Sequence, residues 1–275
     1  MSAKLKYQSS GSDQAKTILF LHGGGVAGWM WNPVVERMQD FHCLVPDLPE
    51  HGRSMSLRPF SMELAANEAA DLVREQAHRG KAVVVGLSEG AQVTVQMLST
   101  APEVVERAVV SSALLLPMPG SRWLNSPGLL AWAFRLSVPP FRHSNWWMRL
   151  NMKYSAAIPE AYFPQYRDNF QIMSESQFVD LMLANQRFRL PLHLDKVTVP
   201  ALVLAGKREY AVVKESARQL AAALPNGQAK LVDLGAGASM AVEHNWAMNA
   251  PDQFAQTVRS FINGTELPGV LVPLN

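Results

Sequence analysis

The sequence predicts an α/β protein: a mostly parallel, doubly wound sheet with an inserted helical cap. Three observations carry this. Short apolar runs rich in β-branched residues alternate with longer amphipathic stretches, the order that strand-crossover-strand units require. Several of the runs are apolar throughout, as strands covered on both faces must be. The alternation then stops between about Leu114 and Val197, in a stretch rich in Pro, Trp, Met and Phe.

In chain order, Thr17–Leu21 and His42–Val45 read as the first two strands. A helix is expected over Ser61–His78: Ser61 is a natural N-cap, Leu64, Ala65 and Leu72 give it an apolar face, and Gly80 follows its end. Lys81–Gly86 is the next strand, Ser88–Thr100 a helix and Arg107–Ser111 another strand. Residues 114–196 are too long and too apolar for a plain loop, so they are expected to form a cap of several short helices. Residues 1–113 and 197–275 then make the core. Ala201–Ala205 and Ala229–Leu234 complete the strands, and Val212–Leu224 and Pro251–Ile262 the helices. The tail Gly264–Asn275, with two Pro and two Gly, is expected to lie on the surface.

Composition narrows the function classes. With 275 residues, 48% of them hydrophobic, the chain can close a sizeable core, which excludes a disordered or fibrous protein. A net charge of +2 argues against a dedicated nucleic-acid binder, whose domain would be strongly basic. The single cysteine, Cys43, excludes an intramolecular disulfide and a cysteine-built zinc site, and within its apolar run it reads as a small buried hydrophobe. Met1–Lys16 is polar, and no apolar run approaches the roughly 18 residues of a membrane span. A cytoplasmic protein is the expectation.

Two motifs carry chemistry. Gly86-Leu87-Ser88-Glu89-Gly90 sits between a strand and a helix, where a sharp turn lifts the Ser88 hydroxyl out at the end of the sheet and the glycines permit the crowded backbone. Ser88 is therefore a candidate nucleophile, against the plainer reading of a serine that caps the following helix. His22-Gly23-Gly24-Gly25 follows the first strand. Its glycines can turn backbone N–H groups toward a developing oxyanion, with Gly24 and Gly25 joining Glu89 at the start of a helix. A phosphate loop would need a downstream Lys-Ser/Thr pair, and Val26-Ala27-Gly28-Trp29 supplies neither.

With Asp47-Leu48-Pro49-Glu50-His51-Gly52-Arg53-Ser54, these motifs resemble three landmarks of the α/β-hydrolase superfamily, in its order and spacing. The resemblance runs from about Leu5 to Ile262, and the helical insert falls where that family carries its cap. It departs at Glu50 and Ala91, where glycines are usual. The resemblance implies a serine esterase-like member with a triad. Of the seven histidines, His22 and His51 belong to turn motifs, His42 and His78 to a strand start and a helix end, and His143 and His193 to the insert or its exit. His244, after the last strand and before the C-terminal helix, matches the family's base. Glu209, in Gly206-Lys207-Arg208-Glu209, stands where similar proteins carry an aspartate, and is the candidate orienting acid. Its rivals are weaker: the alternative acid position holds Ser111-Ser112, Glu243 adjoins the histidine, and Asp233 lies in a strand. A serine, rather than the aspartate of dehalogenases and epoxide hydrolases, favours acyl transfer to and from a carbonyl. No metal or cofactor is expected. A lyase, a cofactor-free oxygenase or a ligand-binding receptor on the same fold stays open.

Ala108–Pro159 contains no Asp or Glu but holds Arg122, Arg135, Arg142, Arg149 and Lys153. It also holds Trp123, Trp132, Trp146 and Trp147, which with Trp246 are candidates to line a pocket for a small apolar ester. A cationic, Trp-bearing outer face is suited to an anionic membrane or a substrate carboxylate. A solvated basic face over a packed core is the plainer alternative.

Overall fold

A computed structural model describes residues 4–120 and 125–274. Its strands are β1 (Tyr7–Ser10), β2 (Thr17–Leu21), β3 (His42–Pro46), β4 (Ala82–Leu87), β5 (Val105–Ser111), β6 (Ala201–Gly206), β7 (Gly227–Val232) and β8 (Leu271–Pro273). They form one sheet in the order β1-β3-β2-β4-β5-β6-β7-β8. Every pairing from β3 to β7 is parallel, while β1 on β3 and β8 on β7 are antiparallel edges.

The helices are α1 (Asn32–Val35), α2 (Met62–Gln76), α3 (Glu89–Thr100), α4 (Pro127–Ser137), α5 (Asn145–Tyr154), α6 (Phe163–Ile172), α7 (Glu175–Arg187), α8 (Ala211–Ala223), α9 (Met240–His244), α10 (Trp246–Asn249) and α11 (Pro251–Asn263). The chain from β5 to β6 carries α4 to α7, and no strand is found there among the described residues. The central strands are buried on both faces, so alternate side chains feed two cores. Leu19, Leu21, Val84 and Val110 point to the core covered by α2, α3 and α8. Ile18, Phe20, Val85 and Val109 point to the other, where Val34, Trp246, Phe254 and Val258 pack. Helix α2 starts as the sequence predicts, with the Ser61 hydroxyl accepting the Leu64 N–H at 3.0 Å.

One strand is added and two expectations change. β1 is a polar, half-exposed edge with no apolar run to betray it. The tail does not simply lie on the surface: Gly264 ends α11 in the left-handed region, and Leu271 pairs with Val232. β7 begins two residues before the expected Ala229, because its register on β6 starts from Ala201 opposite Gly227.

Candidate active site

The strand order turns back between β2 and β4, and open α/β sheets place their ligand crevice at the carboxyl ends of strands where this happens. The two motifs leave those ends. Ser88 sits at φ 57° and ψ −114°, a left-handed conformation that a serine adopts only under constraint. Two glycines supply the room. A Cβ on Gly86 would lie 2.3 Å from the Gly90 carbonyl oxygen, and one on Gly90 would lie 2.1 Å from that of Leu21. The turn is also tied across the sheet, with the Ser88 N–H donating to the Ser111 carbonyl at 2.8 Å.

The glycine loop is held from below by two histidines. His22 donates from Nδ1 to the Gly23 carbonyl (2.8 Å) and accepts the Leu48 N–H at Nε2 (2.9 Å). His51 donates from Nδ1 to the Pro49 carbonyl (2.9 Å) and accepts the Gly25 N–H at Nε2 (3.3 Å). Burial holds both below the usual imidazole range; for His51, burial and then the neighbouring His22 take it down to about 3. Both rings are therefore neutral struts of the loop. The Gly25 amide, a candidate oxyanion donor with Gly24, is here engaged with His51. Gly24 and the start of α3 at Glu89 stay beside Ser88 on one cavity.

The Glu89 side chain folds under the same loop. It is buried, with Oε1 3.5 Å from His51 Nε2, and a Cβ on Gly24 would lie 3.0 Å from Oε2. Burial pushes its carboxyl up to about 8. The His51 nitrogen facing it carries a lone pair, so a neutral carboxyl fits there and a carboxylate does not.

Glu209 and His244 meet although 35 residues separate them: His244 Nδ1–H donates to Glu209 Oε1 at 2.6 Å. The other carboxyl oxygen, Oε2, accepts the Gly206 N–H at 2.6 Å and the Ser112 hydroxyl at 2.8 Å. Three donors thus hold the acid, which the longer glutamate side chain reaches from a tight turn closed by Glu209 N–H to the Gly206 carbonyl. Ser112, itself at φ 60°, is a positioning residue that sequence reasoning set aside as a rival acid site without assigning it a contact. Glu243 faces away from His244 and accepts the Arg208 N–H at 2.6 Å and its guanidinium, pinning α9 to the loop that carries Glu209.

Ser88 and His244 line a cavity of about 180 Å³, and Ser88 and Glu89 line a second of about 470 Å³. The tryptophans divide. Trp147 lines the larger cavity. Trp132 and Trp146 are 62% and 70% exposed and line neither cavity, and Trp246 is a core residue whose Nε1–H donates to Ser111 Oγ at 3.0 Å. Trp123, like Arg122, lies outside the described residues. The insert's cations are mostly engaged: Arg135 pairs with Glu175 (2.6 Å), Arg149 with Glu160 (2.6 Å), and Arg142 donates to the Met173 carbonyl (2.7 Å). Among the described residues no cluster of three or more His, Cys, Asp or Glu side chains is placed to hold a metal ion. Nor, among those residues, is any helix long and apolar enough to cross a membrane.

Residues 18–257 match the alpha/beta hydrolase family. A pimeloyl-[acyl-carrier protein] methyl ester esterase of Vibrio vulnificus is 25% identical over 95% of this chain and 99% of its own length. An AB hydrolase superfamily protein of Gibberella zeae is 32% identical, but over only 38% of each chain. Among solved structures, the enol-lactonase from Burkholderia xenovorans superposes with a TM-score of 0.70 at 22% identity, covering 94% of this chain and 96% of that one. At that identity the likeness speaks for the fold.

Proposed function

This chain belongs to the alpha/beta hydrolase family, and on that premise we propose that it hydrolyses carboxylic esters of an apolar small molecule through an acyl-enzyme on Ser88. The observation that carries the reading is the His244–Glu209 hydrogen bond at 2.6 Å, on a cavity that His244 shares with Ser88. With Nδ1–H committed to Glu209, the lone pair of His244 is on Nε2, the tautomer a general base needs. The esterase named among the relatives supports ester cleavage, and the apolar walls of the larger cavity support an apolar substrate. Helices α4 to α7 serve in this reading as a lid, and the single buried Cys43 agrees with a cytoplasmic setting.

The Ser88 proton passes to His244 Nε2 as Oγ bonds to the carbonyl carbon, and the carbonyl π pair moves onto oxygen. The backbone N–H groups of Gly24 and Glu89 receive that oxyanion, the second of them at a helix N-terminus. Collapse re-forms the carbonyl and breaks the bond to the alcohol oxygen, which takes the proton from Nε2 and leaves as the alcohol. Water then repeats the sequence: its proton goes to His244, its oxygen bonds to the acyl carbon, and Ser88 Oγ departs with that proton, releasing the acid.

The test is turnover of p-nitrophenyl esters from acetate to palmitate, with Ser88→Ala alongside and a fluorophosphonate to label the serine. Hydrolysis falling by more than about 10³-fold in the variant, with labelling at Ser88 lost, is the expected result. Undiminished turnover in Ser88→Ala, or no turnover of any ester by the folded protein, overturns the reading in favour of a lyase, an oxygenase or a receptor.

A further inference from the structure

We propose that the enzyme selects esters of a bulky apolar acid with a small alcohol, the acid in the larger cavity and the alcohol in the smaller one; this rests on the acyl-transfer reading above. The two cavities, about 470 Å³ and 180 Å³, share Gly24, Val26, Ser88 and Ala156, so they are lobes that meet at the nucleophile. An ester bound at Ser88 must send its acyl group and its alcohol in different directions. The proton chemistry decides which goes where. The departing oxygen takes its proton from His244 Nε2, so the alcohol lies on the side of that ring. His244 lines the smaller lobe and is not part of the larger one's wall.

Size and stiffness then set the selection. A closed apolar cavity of about 150 Å³ holds a molecule the size of benzene, so the covered part of the alcohol lobe, which opens to solvent on one side, seats little more than that. Its walls include Met30, Ile158 and Met248, the last on α10, all three buried in one hydrophobic core, so it has little freedom to widen. The acyl lobe is walled by the lid, with Phe170, Met173, Phe178, Leu181 and Met182, and methionines adapt to different chain shapes.

The experiment compares two isomers of one formula, methyl octanoate and heptyl acetate, which differ only in which side of the ester carries the chain. Acid release is followed with a pH indicator, and p-nitrophenyl butyrate runs as a control, because nitrophenolate leaves without needing a proton. The expected kcat/KM favours methyl octanoate by at least about tenfold, the discrimination that even one methylene can bring in an apolar pocket. Ile158→Ala should lift heptyl acetate selectively, and Met182→Trp should depress methyl octanoate selectively. A ratio below tenfold or reversed, with the control still turning over, overturns the inference and leaves the serine mechanism standing. Loss of the control together with loss of fluorophosphonate labelling at Ser88 overturns the mechanism itself. The isomer ratio is read on the unmodified enzyme, so a variant that fails to fold does not remove the test.

Discussion

Helices α3 and α4 each follow a serine at the N-cap, and α4 is the more apolar in sequence, yet they end in opposite situations. α3, behind the nucleophile, buries nine residues from Glu89 to Leu98, including Gln92 and Thr94. α4, in the insert, buries only Leu130 and Phe134 and leaves Leu129, Trp132 and Leu136 exposed on one face. Burial is therefore decided by what the fold lays against a helix rather than by the helix's own composition. α3 lies between a parallel sheet and α2, where every direction is filled. α4 packs on α7 along one side, where the Phe134 and Phe178 rings lie 5.6 Å apart, and has solvent on the other.

Trp246 and Trp132 offer the largest test of that contrast. Both are tryptophans that the sequence made pocket candidates, but Trp246 is fully buried, packed on Phe254 with ring centroids 4.5 Å apart. Trp246→Ala should cost about 3–5 kcal/mol, the range for a large aromatic removed from a filled core. Urea unfolding measures it. A loss under about 1 kcal/mol would mean that the core around α10 is loose, and the contrast between core and insert would collapse.

What was legible in the sequence follows the same division. Strands such as Thr17–Leu21 show themselves because two covered faces demand unbroken apolar residues. The elbow shows itself because Gly86 and Gly90 are fixed by sub-van-der-Waals approaches that no other residue survives. The meeting of Glu209 with His244 was implied by the family resemblance, which places an acid and a base after strands of one sheet. Ser112 was not assigned its role, because the oxygen it donates to lies 97 residues away and no local pattern records it. Glu50 likewise looks like a mere departure from a glycine. In the structure it holds that glycine-like φ of 59° and offsets the strain by accepting the Phe60 N–H at 2.8 Å. Of the insert's tryptophans Trp147 lines the larger cavity while Trp132 and Trp146 are exposed, a division that hydrophobicity alone cannot give, because it does not say which face of a helix turns inward.

A pH-dependent effect, at any one pH no larger than that of Trp246→Ala, probes a loosely satisfied place in the tight region. Glu89 is buried with Oε1 unpartnered among the described residues, and its carboxyl is pushed up to about 8 by burial. Unfolded, the group returns to the ordinary carboxylate range. Its contribution to stability is full below that range, where both states hold the proton. Between that range and about 8 only the native state holds it, so stability falls as pH rises, by at most about 1.4 kcal/mol per pH unit. Above about 8 the slope from this group ends. Glu89→Gln keeps the shape and removes the linkage. The stability of wild type relative to Glu89→Gln, read by urea unfolding from pH 5 to 9, should therefore decline up to about pH 8 and then level. A difference that is flat with pH would show that the carboxyl is ionised throughout, and that His51 has turned or water has entered beneath the glycine loop.

The smallest effect is the sharpest statement about the insert. Trp132, 62% exposed, has lost little contact with solvent on folding, so Trp132→Ala should shift stability by no more than about 0.5 kcal/mol. Turnover of short esters should be unchanged too, since Trp132 lines neither lobe of the site, whereas Trp147→Ala in the wall of the larger lobe should alter acyl-chain preference. The pair separates two explanations of an aromatic-rich lid. If the aromatics act only by shaping the pocket, the inward Trp147 carries the whole effect and the outward Trp132 none. If Trp132→Ala instead lowers turnover of long-chain or aggregated esters while sparing short soluble ones, the exposed face of α4 takes part in meeting the substrate before it enters. A cost near that of Trp246→Ala would show α4 packed against something, and its exposure would no longer distinguish it from α3.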